Sequence, residues 1–142
     1  MCELIIITAL CHNPGELKLR RSLVVIKIRL DIEYPSLNEY IQAERSNKYK
    51  AANLKKEYTC KTMAASLKYR GAVKNKADIH FEWHTSRKVD PDNLDFARKF
   101  VLDGLVKAGV LVDDNQKYIG RLSSEIVKDK KGYVIVVIKE EE

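Results

Sequence analysis

Along residues 24–32 every second side chain is aliphatic. Val24, Ile26, Ile28, Leu30 and Ile32 fall on one side of an extended chain, and Lys27, Arg29 and Asp31 fall on the other. A period of two does not fit a helix, which would scatter these residues around its axis, so the segment is a strand with one buried and one wetted face. A lone strand cannot satisfy its own backbone, so the rest of the chain must complete a sheet and cover its apolar side.

The remaining pattern supplies both. Ile79, Phe81 and Trp83 alternate with His80, Glu82 and His84, which predicts a second strand. Over residues 47–69, Ala51, Leu54, Tyr58, Ala65 and Tyr69 recur at helical spacing, and lysines fill the other faces. A second helix is expected over 93–108, with Leu94, Ala97, Val101, Leu105 and Ala108 as its buried stripe. Pro35 stops the first strand, Ser36 and Glu39 have capping-box spacing, and Gly71 and Gly109 end the two main helices. Segments near 120–127 and 133–139, joined through 129–132, predict a C-terminal hairpin. The expected fold class is α+β, a single small domain with a mixed β-sheet, two main helices and that hairpin. Residues 1–22 are expected to be an N-terminal extension and 23–142 the folded domain. The apolar stretch 4–10 is too short to span a membrane and lacks a basic leader or a small-residue cleavage site.

Charge is unevenly spread. Residues 44–76 hold ten Lys or Arg against Glu44 and Glu57, a net of +8 in a chain whose total is +6, so the remainder sums to −2. A basic arm beside a mildly acidic remainder favours a polyanionic partner. Lys48, Lys50, Lys55, Lys56 and Lys61 are its candidate phosphate contacts. Cys2, Cys11 and Cys60 are odd in number and lack CxxC spacing, which argues against a disulfide framework or zinc finger and suits a reducing cytoplasm.

Two groups of acids are candidates for chemistry. Asp90-Pro91-Asp92-Asn93 joins the second strand to the second helix, where Asp92 or Asn93 could serve simply as a cap. Asp113-Asp114 follows the same helix and could be no more than a solvated turn. Together the two groups could form the oxygen-rich site that Mg²⁺ prefers. Lys99 lies on roughly the same helical face as Asp92 and Asp103; it could pair with Asp95 and Asp103 or act as a cation aimed at a phosphate. His80, Glu82 and His84 share one strand face and could alternatively bind a transition metal.

In order and spacing these motifs resemble the RusA family of Holliday-junction resolvases. The likeness runs through Val89-Asp90-Pro91-Asp92-Asn93, Lys99-Phe100-Val101-Leu102-Asp103-Gly104-Leu105, Gly109 and Asp113-Asp114-Asn115-Gln116, with Pro35-Ser36-Leu37-Asn38 near the front. It implies a Mg²⁺-dependent endodeoxyribonuclease, with Mn²⁺ as a substitute, that resolves four-way DNA junctions as a homodimer. By the same likeness Asp90, Asp92 and Asp114 would hold the metal and Lys99 would be the catalytic lysine. The compact family form places that lysine four residues after the second Asp, whereas here it is seven. Three residues are nearly one turn, so the face is kept while the lysine moves about 4.5 Å along the axis, and Arg98 is the alternative cation. The competing expectation is a non-catalytic nucleic-acid-binding protein that uses the 44–76 arm.

Overall fold

The structure is a computed structural model that describes residues 3–8 and 22–141, with side chains from Val24 onward. Its elements are β1 (Glu3–Thr8), β2 (Ser22–Leu30), α1 (Leu37–Ser46), α2 (Lys48–Ser66), β3 (Ala77–Thr85), α3 (Pro91–Asp95), α4 (Arg98–Lys107), β4 (Ile119–Lys128) and β5 (Tyr133–Glu140), with a 3₁₀ turn over Leu67–Tyr69. The five strands form one mixed sheet in the order β1-β2-β5-β3-β4. The α+β class is therefore as expected. Within the expected extension 1–22, Glu3–Thr8 pairs antiparallel along β2, while 9–21 lie outside the described residues, as do Cys2 and Cys11. Cys60 is a free, exposed thiol.

The period-two pattern translates directly into layers. Ile26, Ile28 and Leu30 of β2 join Ile79, Phe81 and Trp83 of β3 and Val134, Val136 and Ile138 of β5 in one buried face. Leu94, Phe100, Val101 and Leu105 from α3 and α4 complete that core. Each such side chain, fully removed from water, contributes roughly 1.5–3 kcal/mol before entropy is counted.

Three local expectations need correction. The C-terminal strands exist, but they are not a hairpin: β4 runs parallel to β3, while β5 lies between β3 and β2 and is antiparallel to both. The physical reason lies in composition. Tyr133 to Ile138 is apolar without a break, as a strand flanked on both sides requires, whereas β4 carries Gly120, Arg121, Ser123, Ser124 and Glu125 and takes the edge. The helix expected over 93–108 is two helices. Hydrogen bonds tighten to i+3 spacing at the junction (Ala97 N to Leu94 O, 3.1 Å; Phe100 N to Ala97 O, 3.0 Å), and Trp83 Nε1 and Arg98 both hold Asp95. Finally, the expected α2 stripe holds only in part: Ala51 is buried and Tyr58 and Tyr69 pack half-buried against the core, but Thr59, Thr62 and Ser66 share the buried face and Ala65 is exposed. Small residues are selected there because α4 approaches closely at Gly104. Thr62 keeps its hydroxyl satisfied through Tyr34 Oη and the Tyr58 carbonyl.

The capping box is present. Ser36 Oγ accepts from Glu39 N (3.3 Å) and Glu39 Oε2 accepts from Ser36 N (2.6 Å). Gly71 and Gly109 both have φ of +78°, a conformation that favours glycine. Gly71 N donates to Gly109 O at 2.8 Å, which ties together the exits from the two helical segments.

Candidate functional site

β3 delivers the chain to Asp90, which is the N-cap of α3 with extended backbone (φ −64°, ψ 143°) and Pro91 at the first helical position. The capping role foreseen for Asp92 or Asn93 thus falls to Asp90, and its carboxylate makes no capping bond. Asp92 follows in the first turn, and both acids are exposed. At the other end of the helical layer Asp113 is committed to its turn: Oδ1 accepts from Asp114 N at 2.7 Å and Oδ2 from Asn115 Nδ2 at 2.8 Å. Asp114 instead lines a groove of about 410 Å³ between α2 and α4, with Lys55, Lys56, Asp103 and Lys107.

A consistent division separates the acids. Asp95 holds Trp83 and Arg98, Asp103 lies 3.8 Å from Lys55, and Asp113 builds a turn. Among the described residues, the side chains of Asp90, Asp92 and Asp114 make no hydrogen bond or ion pair. The cations divide the same way. Arg98 is bound to Asp95 at 2.8 Å, while Lys99 is exposed and makes no ion pair among the described residues. The ladder that would have linked Lys99 to Asp95 and Asp103 is therefore not formed.

One copy of the chain does not bring the three free aspartates together. They form no group of ligand atoms within 4.8 Å of one another. Asp114 sits beside Asp103 and Lys107 of α4, whereas Asp90 and Asp92 start α3. At 1.5 Å per residue roughly 16 Å of helical path lies between Asp92 and Asp103, beside which Asp114 sits.

The arm lysines all lie on α2 and are exposed. They do not form one stripe. At about 100° per residue Lys48 and Lys55 share a direction, Lys56 is about 80–100° away, and Lys50 and Lys61 point roughly opposite. Lys55 and Lys56 line the groove. Lys61 bonds Glu57 at 2.8 Å, and that carboxylate holds its ammonium above the usual lysine range.

On the outer sheet face His80 and Glu82 meet a residue that sequence reading did not connect to them, Glu125 of β4. Among the described residues these three form a His/carboxylate group with ligand atoms within 4.8 Å. The missing signal was the parallel β3–β4 pairing, which sets Glu125 opposite Glu82.

No protein-family model matches the chain, and no curated protein matches it. Among solved structures it is similar to a chain in the crystal structure of a HypE–HypF complex, at 12% identity and a TM-score of 0.34. The match covers 84% of this chain and 33% of that one, so the chain spans about a third of its length. At that TM-score the likeness identifies no shared fold. No described helix is long and apolar enough to cross a membrane.

Proposed function

We propose that the chain is a Mg²⁺-dependent endodeoxyribonuclease, also active with Mn²⁺, that cuts four-way DNA junctions in the cytoplasm. The observation that carries this reading is the division among the acids. Asp90, Asp92 and Asp114 are left without structural partners while neighbouring aspartates are all engaged. Exposed, unpaired carboxylates are what a hard cation with retained waters uses. Metal held there would activate water and offset charge on the phosphate, and Lys99 would stabilise that charge. Lys55 and Lys56 beside the groove, with Lys48, Lys50 and Lys61, would contact flanking phosphates without reading sequence.

Because Asp114 lies at the far end of the helical layer, one ion bound by all three acids takes Asp114 from a second copy. This suits a homodimer whose two-fold axis places two such sites on a symmetric junction. The test uses a labelled four-way junction with Mg²⁺ and with EDTA. Asp92→Asn and Asp114→Asn should each fold, bind and cut orders of magnitude more slowly. Mixing the two inactive variants should restore nicking, since a mixed dimer has one intact site. A mixture that stays inactive while wild type cuts would place each site within one copy. Cutting at wild-type rates by either folded variant would remove the acids from the reaction.

The separation of the acids within one copy also favours a second reading, a nucleic-acid-binding protein without catalysis. Junction binding that is unaffected by EDTA, with the DNA left uncut, would establish it.

A further inference from the structure

The sheet face opposite Ile79, Phe81 and Trp83 holds a second arrangement of metal-binding side chains, independent of the aspartates above. β3 and β4 run parallel with Glu82 directly opposite Glu125 and His80 opposite Ser123. Like charges placed opposite each other repel, and among the described residues no Lys or Arg pairs with either glutamate. His80 Nδ1 lies 2.7 Å from Ser123 Oγ, and its Nε2 lies 3.3 Å from Glu125 Oε1. When Nδ1–H donates to the serine, Nε2 turns its lone pair toward a carboxylate that is also only an acceptor. Two donors bound to zinc at about 2.0–2.1 Å and a tetrahedral angle lie about 3.3 Å apart, so the observed spacing accommodates an ion.

His84 makes the same point on the other side of Glu82. Its side chain is 12% exposed, and Nδ1 lies 3.3 Å from Asp129 Oδ2. The Tyr133 hydroxyl, donating to Asp129 at 2.9 Å, holds that carboxyl below its usual range, so it accepts and His84 Nδ1–H donates. His84 Nε2 is buried with no hydrogen-bond partner, 4.0 Å from Glu82 Oε2. Histidines tied through Nδ1 to a hydroxyl or a carboxylate are the surroundings that orient metal ligands.

We infer that His80 Nε2, Glu82 and Glu125 bind one divalent first-row transition ion, Zn²⁺ foremost. Ser123, which bonds His80 Nδ1, acts as the positioning residue. The remaining coordination position is open to water or to an anionic oxygen, as in zinc sites with three protein ligands. Imidazole in the set selects Zn²⁺ over Mg²⁺, so this site and the aspartates differ in the metal they prefer.

The test titrates the full chain with Zn²⁺ alone, followed by calorimetry and by imidazole ¹⁵N resonances. Zn²⁺ should shift His80 Nε2, and His80→Gln and Glu125→Gln should each weaken binding roughly 10- to 100-fold. Asp92→Asn should leave this binding unchanged, and Mg²⁺ at the same concentration should not move His80. Should His80→Gln fail to fold, Glu125→Gln carries the test, because that side chain is 53% exposed. An unmoved His80 resonance, unchanged affinity in Glu125→Gln, or an equal response to Mg²⁺ would overturn the inference.

Discussion

Gly104 of α4 lies so close to Thr62 of α2 that a β carbon at 104 would overlap the threonine's own. The Thr59 carbonyl closes the space from another direction, at 3.0 Å from where that carbon would sit. Gly104→Ala gains about 1 kcal/mol in helix propensity but overpacks a backbone contact, which typically costs about 1–3 kcal/mol or more. The expected result is a net loss on the order of 1–2 kcal/mol in urea unfolding. An unchanged or raised midpoint would mean that α2 and α4 part easily.

Lys99 and Arg98 should separate by the kind of effect each produces. Lys99→Ala should lower junction cleavage by about 10²–10³ at saturating DNA with little loss of stability, as removal of a preorganised charge does. Arg98→Ala loses only the half-exposed pair with Asp95, worth at most about 1 kcal/mol, and should cut at close to the wild-type rate. Rates that fall for Arg98→Ala and hold for Lys99→Ala would reverse the assignment.

Neutralising Lys55, Lys56 and Lys61 together should weaken DNA binding and flatten its salt dependence. Each phosphate contact removed lowers the slope of log affinity against log salt by about 0.9. Lys61 already bonds Glu57 and points away from the groove, so the drop should come mainly from Lys55 and Lys56. A slope that does not change would send the DNA over another face.

Glu39 should make stability depend on acid. Partial burial pushes its carboxyl up, but the Ser36 backbone and hydroxyl and the Arg87 guanidinium outweigh this and hold it below the usual value. A carboxyl lowered in the folded state contributes stability above its unfolded pKa, and that contribution is lost as pH falls through the folded value. Glu39→Gln should therefore be less stable than wild type at about pH 7, by under about 1 kcal/mol given its exposure, and equal to it near about pH 2. A gap that persists unchanged into acid would assign the effect to shape rather than charge.

The sequence made the layers legible because alternation survives wherever one face is buried, as in Ile26, Ile28 and Leu30 and again in Ile79, Phe81 and Trp83. Strand order was not legible from turn spacing. The short 129–132 link suggested a hairpin, whereas the unbroken apolar run in β5 and the polar character of β4 were the better guides to their positions. The α2 stripe was legible only in part: Ala51, Tyr58 and Tyr69 lie on the inner side as their spacing suggests, but the burial of Thr59 and Thr62 depends on Gly104 of another helix. Motif order singled out Asp90, Asp92 and Asp114 as candidates, and their common lack of side-chain partners among the described residues became visible only with the neighbouring aspartates in place. Glu125 had no local signal, since its place beside His80 depends on β3–β4 pairing alone.

β5 joins the two halves of the sheet, and this orders events during synthesis. Val24 pairs with Glu140 and Leu30 with Val134, while the other edge of β5 receives His84 at Tyr133 and Ala77 at Glu140. Until residues 133–140 leave the ribosome, β2 has no partner strand connecting it to β3, and the facing backbone edges of both remain unpaired. Closing such distant pairs carries a loop-entropy cost before any contact repays it, which slows folding. A nascent chain of this protein therefore leaves the facing edges of β2 and β3 unpaired until residues 133–140 are made, and its dependence on chaperones should be concentrated in that interval.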